Sequence, residues 1–458
     1  MNTKSFIFAI CLSVTLFSCS DEQDYFPTDT ANQAVEEKAK SHAQSVVSFS
    51  DAKLFISSIP TELFNQGMAT KSTEEKIVES MTPIIENSDT LLWVVNYEND
   101  NGFLILSADR NRFPIVGFND EGKFETDRSI NTQLDEMIDL LIASRKIAST
   151  DNTNTYSEFW QEITNLEEGE EITIEILSND DTEPVGTRSI PERDKPIGRW
   201  PVFPLCYPVE WGTGFGYHYE MFRDLYGGYK KPIDRLVVSL GHIMYRYWFP
   251  HKYDWMRMPY RIEQIAANDR SNAIASMFKD ISDQLGITPV RPSPLASQIY
   301  DIPSFFRANG YSNPGEMFLY EYDENSFMRV YNSLLRGNPV LFVHLFQPNG
   351  KSRSWRIDDR YDRIQDAFVV DGYQEVRVKV TITKRFLGIK VSTKEYFYYA
   401  DYFRFLFPHA GNFRDRQTTT HGYRTGWFKQ DFHSGEEGLF LLHSRKDGRR
   451  YAFTNIRP

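Results

Sequence analysis

The stretch from Pro232 to Trp255 reads PIDRLVVSLGHIMYRYWFPHKYDW, and its spacing leaves little choice of local structure. Leu236, Val237, Leu240, Ile243, Met244 and Trp248 recur every three or four residues, so all of them fall on one side of a helix. Asp234 supplies an N-cap carboxylate ahead of them, and Pro250 closes the segment because it can neither donate a backbone hydrogen bond nor extend the turn before it. Ser239 and Gly241 weaken helix propensity in the middle, but they let a neighbouring element approach closely. The pattern predicts a buried helix at the centre of an α+β domain.

The whole chain is long and apolar enough to build real cores. It has 458 residues, of which 41% are hydrophobic and 15% aromatic, which suits two or three domains. A formal net charge of −12 argues against a nucleic-acid partner, since phosphate binding needs a basic face. The local basic cluster of Arg445, Lys446, Arg449 and Arg450 reads as a solvated turn. The nine histidines include no His-Glu-x-x-His pair, and neither a phosphate-binding loop nor a dinucleotide fingerprint is present, so no metal and no cofactor is expected.

At the N-terminus, Lys4 precedes the apolar run Phe6 to Phe17, and the run ends in Leu16-Phe17-Ser18-Cys19. This resembles a bacterial lipoprotein signal, with residues 1–18 removed and Cys19 lipidated; an ordinary secretory signal is the alternative. Several acyl chains on Cys19 would hold the protein on a membrane. The acidic Ser20-Asp21-Glu22-Gln23-Asp24 resembles a signal for the outer surface. Together they imply an outer-membrane lipoprotein of the bacterial cell envelope, with 19–45 as an acidic tether. Cys206 is then the sole free thiol of the mature chain, and no intramolecular disulfide can form.

Beyond the tether, the pattern predicts a helix over Ser50 to Ile59, then strands at Leu91–Val95, Phe103–Leu106 and Pro114–Phe118 separated by Asn-, Asp- and Gly-rich turns. A helix follows with Leu134, Ile138, Leu141 and Ile142 on one face. Residues 179–198 are rich in Asp, Glu, Pro and Ser without periodicity, and read as a linker. Farther on, Ala273 to Gly286 is amphipathic, Val376, Val378, Val380 and Ile382 alternate up to Gly388, and Ile389 and Val391 return as a long β-hairpin.

Three runs resemble the streptopain family of papain-like cysteine peptidases. Residues VVNYENDNGFLILSADRNRFPIVGFNDEGKF are similar to the propeptide or inhibitor domain that precedes those enzymes. The helix of Pro232–Trp255, through Ile243, Met244, Pro250 and Tyr253-Asp254-Trp255, resembles the helix that carries the nucleophilic cysteine. Gln365 to Tyr373 resembles the family's Gly-His-Ala-Trp-Val-x-Asp-Gly-Tyr strand, which carries the catalytic histidine. The implied fold is a propeptide/inhibitor-like α+β domain over 46–178 followed by a papain-like α+β domain over 199–458.

In the same register the nucleophile falls on Arg235 and the base on Asp366. The family's His-x-Asn-Trp-Gly-Trp-Gly-Gly wall falls on Tyr399 to Leu406, placing its Asn and Trp on Asp401 and Tyr402, and Thr213 stands where the family has a glutamine. A guanidinium is no nucleophile and a carboxylate of ordinary pKa is a poor acid for a leaving amine, so the resemblance implies a pseudopeptidase that binds a protein or peptide, with a related active peptidase as one candidate partner. Two alternatives remain: a hydrolase using other residues, for which Cys206 is the only free thiol, and a trans-acting inhibitor working through residues 46–178. Facing charges at positions 235 and 366 also predict a salt bridge across the former cleft.

Overall fold

A single antiparallel sheet of eleven strands carries the fold of this chain, seen in a computed structural model that describes residues 45–60, 63, 76–126, 156–164, 166, 170–177, 199–209, 211–214, 216–228, 232–258, 269–288, 296–321, 323–346, 363–386, 389–408, 425–430 and 448–458. The strands are β1 (Val78–Glu86), β2 (Asp89–Tyr97), β3 (Phe103–Ser107), β4 (Ile115–Asn119), β5 (Glu170–Leu177), β6 (Asn313–Leu319), β7 (Val340–Phe346), β8 (Arg363–Phe386), β9 (Ile389–Leu406), β10 (Thr425–Gln430) and β11 (Gly448–Arg457). They lie in the order β1-β2-β3-β4-β10-β9-β8-β7-β11-β6, and β5 pairs with β8 off this path. The fold class is α+β, as expected. Residues Ser45–Pro458 form one compact unit.

The predicted hairpin becomes the spine of the sheet. β8 and β9 pair from Val369↔Leu406 to Phe386↔Ile389, with register shifts between Val370 and Gly372 and between Lys384 and Arg385. The opposite edge of β8 is shared by three segments: β7 covers Arg363 to Val370, Val202 bridges to Tyr373, and β5 covers Arg377 to Lys384. The strands predicted at 91–95, 103–106 and 114–118 are β2, β3 and β4, and β4 joins the rest of the sheet through Trp427↔Phe118 and Phe428↔Gly117 on β10.

Seven helices pack on this frame among the described residues. The first two, α1 (Phe49–Ser58) and α2 (Ser157–Thr164), lie with the N-terminal strands. Ser48 and Asp51 close a capping box on α1, each side chain accepting the other's backbone N–H. The others are α3 (Gly216–Leu225), α4 (Arg235–Tyr247), α5 (Asp269–Leu285), α6 (Ile302–Ala308) and α7 (Glu324–Leu335). The helix expected around Leu134 to Ile142, the linker, the tether and the signal segment lie outside the described residues.

The central helix α4 forms where the spacing placed it. Asp234 Oδ1 accepts the Leu236 N–H at 2.9 Å, and every residue from Leu236 to Tyr245 is buried. Such burial on all sides fits a helix enclosed between the sheet and α5. At Gly241 an added Cβ would stand 2.6 Å from Phe278 Cε1 and 3.2 Å from Met277 Cε, so glycine permits the approach of α5. Trp248, expected on the apolar stripe, instead caps the helix with a left-handed backbone (φ 49°) and is 46% exposed. Its N–H reaches the Met244 and Tyr245 carbonyls, ending the helix before Pro250.

Candidate functional site

The N-terminus of α4 meets the first residues of β8 at a small cluster of charges. Arg235 Nη1 lies 3.3 Å from Asp366 Oδ1, with side chains 16% and 17% exposed. The predicted ion pair therefore forms, partly shielded from water. Asp366 Oδ1 also accepts the N–H of Ala367 at 2.8 Å, which fixes the carboxylate on its strand. Four residues along the helix, the buried Ser239 hydroxyl donates to the Ala367 carbonyl at 3.0 Å and clamps α4 onto β8. On β7 the cross-strand neighbour of Asp366 is His344, and that of His344 on β11 is Arg450.

Asp234 completes the cluster. Its carboxyl pKa is pushed up to about 6, first by loss of hydration, with Asp366 adding to the rise while the Leu236 N–H and Arg235 oppose it. The helix start thus holds a carboxylate that caps it, a guanidinium that opposes its dipole, and a second carboxylate from the sheet facing that guanidinium. Nothing in this group provides a nucleophile.

The segment leading into the domain closes one side. Trp211 is fully buried against His242, Tyr245 and Phe278, and His242 Nε2 donates to the Trp211 carbonyl at 3.1 Å. His242 is a core residue. Thr213 is fully buried; its N–H donates to the Pro408 carbonyl at 3.0 Å and its own carbonyl accepts the Ile233 N–H at 2.7 Å. Its Oγ1 makes no hydrogen bond with the described residues, and it offers no amide where the resemblance puts one.

Asp401 and Tyr402 do not belong to this site. The strand register places Asp401 opposite Glu375, whereas Asp366 lies nine positions back along β8, roughly 30 Å at about 3.3 Å per residue. The hairpin register spreads the run Tyr399–Leu406 along β8 from Arg377 to Val369, so its first residues, Asp401 and Tyr402 among them, lie far from the α4 terminus. The β9 residue nearest Asp366 is its last, Leu406, which pairs with Val369. Asp401 instead accepts from Tyr373 Oη and sits 3.1 Å from Arg199 Nη1. Tyr402 is fully buried and donates to the Ile115 carbonyl at 2.8 Å.

Cys206 is buried in the core, and burial first, then the nearby Asp371 carboxylate, push its thiol well above the ordinary range. A thiol in that state stays protonated at neutral pH and is inert. Its backbone N–H donates to Asp371 Oδ2 at 3.0 Å, and the same carboxylate takes Arg404 Nη1 through both oxygens at 2.9 and 2.8 Å. This buried pair was not visible in the sequence pattern. Nor was the burial of Arg450, which is a strand residue and not part of a solvated turn.

Comparison with known proteins bears on the N-terminal part. No curated protein matches the chain in sequence. Among solved structures, a prointerpain A fragment from Prevotella intermedia aligns over 81% of this chain and 97% of its own length, at 12% identity and a TM-score of 0.39. Residues 30–143 match the family model described as the Spi protease inhibitor, so the strands β1 to β4 and helix α1 lie within an inhibitor-type module.

Proposed function

We propose that the chain is a lipid-anchored, streptopain-like pseudopeptidase that binds a protein or peptide without cleaving it. The observation that carries this reading is the Arg235–Asp366 ion pair at the start of α4. Peptide-bond cleavage of the papain type needs a thiolate stabilised by the helix N-terminus and an imidazole to protonate the leaving amine. Here the first position is a cation with no nucleophilic electron pair, the second is its carboxylate counterion, and the only thiol in the described fold is buried and protonated.

The partner is a protein, and the match of residues 30–143 to a protease inhibitor family makes a related active peptidase the first candidate. Lipidation at Cys19 would keep that encounter at the outer membrane of the cell envelope. The decisive experiment incubates the purified chain, without its signal segment, with an unfolded protein substrate, beside a Cys206→Ala variant. No cleavage by either is expected. Cleavage that Cys206→Ala abolishes would overturn the pseudopeptidase reading. For the anchor, Cys19→Ala is expected to leave the membrane fraction, and its retention there in the same compartment would refute lipidation.

A further inference from the structure

The N-terminal inhibitor-type module does not lie on the rest of the chain as a separate body. It is built into the same sheet from two directions. β4 pairs with β10 at Phe118 and Gly117, which makes β1 to β4 the continuation of the sheet that holds β7 to β9. β5, the last described strand before residue 199, runs along β8 from Glu170↔Lys384 to Leu177↔Arg377. The returning chain binds that same β8 edge again at Val202↔Tyr373. Both ends of the segment 178–198 are therefore fixed to one strand edge, at positions 377 and 373.

The side chains agree with the backbone. One core cluster mixes Phe55, Phe159 and Trp160 of the N-terminal part with Val380, Tyr398 and Trp427 of the C-terminal part. Phe159 and Tyr398 meet edge to face with centroids 4.8 Å apart. Tyr402 Oη donates to the Ile115 carbonyl inside the same layer. On the outside, Lys394 pairs with Glu162 at 2.9 Å and Arg385 with Glu171 at 3.0 Å. Separating the parts would open the β10 edge and uncover the apolar face of the β8–β9 hairpin, leaving unpaired strand groups and exposed aromatic rings.

We infer that residues 45–177 are a permanent part of one fold and not a releasable inhibitor. A chain cut between residues 178 and 198 remains assembled, and a partner meets the combined surface of both parts. This holds whether or not the Arg235–Asp366 site is inert, so the two readings fail separately.

The test places a site-specific protease sequence within residues 186–192 of the chain, cuts it, and passes the product over a sizing column. The two fragments are expected to elute together at the position of the uncut protein in native buffer and to separate in concentrated urea. A Trp427→Ala variant, which removes the ring opposite Phe118, should shed its N-terminal fragment at least tenfold more readily. Release of the N-terminal fragment from the unsubstituted chain in native buffer would overturn the inference. Native-state hydrogen exchange on the uncut chain gives a second reading that needs no cleavage. Amides of β3, β4 and β5 should open together with those of β8 and β9, and a separate, more frequent opening of the N-terminal strands would equally refute it.

Discussion

Arg235 and Asp366 face one another across 3.3 Å, a cation on the first residue of the central helix and an anion on the adjoining strand. The arrangement reverses the polarity that a thiolate and an imidazolium would have there. The guanidinium opposes the helix dipole by roughly 0.3–1 kcal/mol, and the facing carboxylate offsets that cost.

The pair should therefore be energetically coupled. Partial exposure limits its strength, so Arg235→Ala and Asp366→Ala are each expected to cost about 1 kcal/mol in urea denaturation. The double substitution should cost less than the sum, by about 0.5–1 kcal/mol. Losses that simply add would mean that the contact has no energetic content.

On the pseudopeptidase reading, supplying a thiol and an imidazole at positions 235 and 366 should not create an enzyme. Arg235→Cys with Asp366→His supplies a thiol and an imidazole, but the place of the family's glutamine is held by Thr213, which is fully buried and has no amide donor for a developing oxyanion. No turnover of an unfolded protein substrate is expected. Measurable cleavage would show that the rest of the site survives intact.

Much of this fold was legible in the sequence, and the parts that were not share a cause. The three- and four-residue spacing of Leu236 to Met244 specifies α4 because local periodicity alone decides it. The alternation of Val376 to Ile382 likewise announces the long hairpin of β8 and β9. Which strand neighbours which depends on contacts between distant segments, and the pairing of β4 with β10 leaves no trace in either segment alone. The separation of Asp401 and Tyr402 from Asp366 has the same cause, since a motif can be matched by its letters while strand register carries it elsewhere. The Asp371–Arg404 pair joins residues on adjacent strands and shows no spacing signal at all.

That buried pair makes a strong prediction. Asp371 is fully buried and Arg404 nearly so, and the carboxylate has the Cys206 N–H as its other donor. Arg404→Met would leave a buried charge without its counterion, at a cost of about 3–5 kcal/mol. Combining it with Asp371→Asn should recover a large part, because the neutral amide no longer needs a cation. Thermal unfolding of the three variants decides this, and a single variant no less stable than the double would contradict it.

Close packing at the helix crossing should be as sensitive. Gly241→Ala would press a methyl group to 2.6 Å from Phe278 Cε1. Overpacking of this kind costs about 1–3 kcal/mol. Phe278→Leu should relieve much of it when combined with Gly241→Ala, although alone it leaves a void. If Gly241→Ala is neutral in urea denaturation, α4 and α5 are not held at the distance seen here.

The helix start should also make stability depend on pH in an unusual direction. Asp234 has its folded-state pKa raised from 3.8 to about 6, chiefly because the carboxylate loses hydration beside Asp366 while the Leu236 N–H and Arg235 compensate only in part. The folded chain thus holds this proton more tightly than the unfolded chain does. Its contribution favours folding at low pH and is lost as pH rises from about 4 through about 6. Asp280 and Asp323, whose pKa values are lowered by their hydrogen-bond donors, act in the opposite sense, so the total curve does not isolate Asp234. Comparison with Asp234→Asn does, because asparagine keeps an N-cap acceptor for the Leu236 N–H and does not titrate. Relative to the unsubstituted chain, Asp234→Asn should gain about 1–2 kcal/mol of stability between pH 4 and pH 7, a figure below the full linkage value because Asp234 keeps some contact with water. Urea midpoints measured at half-unit intervals across that range provide the difference curve. A flat difference, or one that falls as pH rises, would show that the Asp234 carboxyl is not the strained member of the cluster.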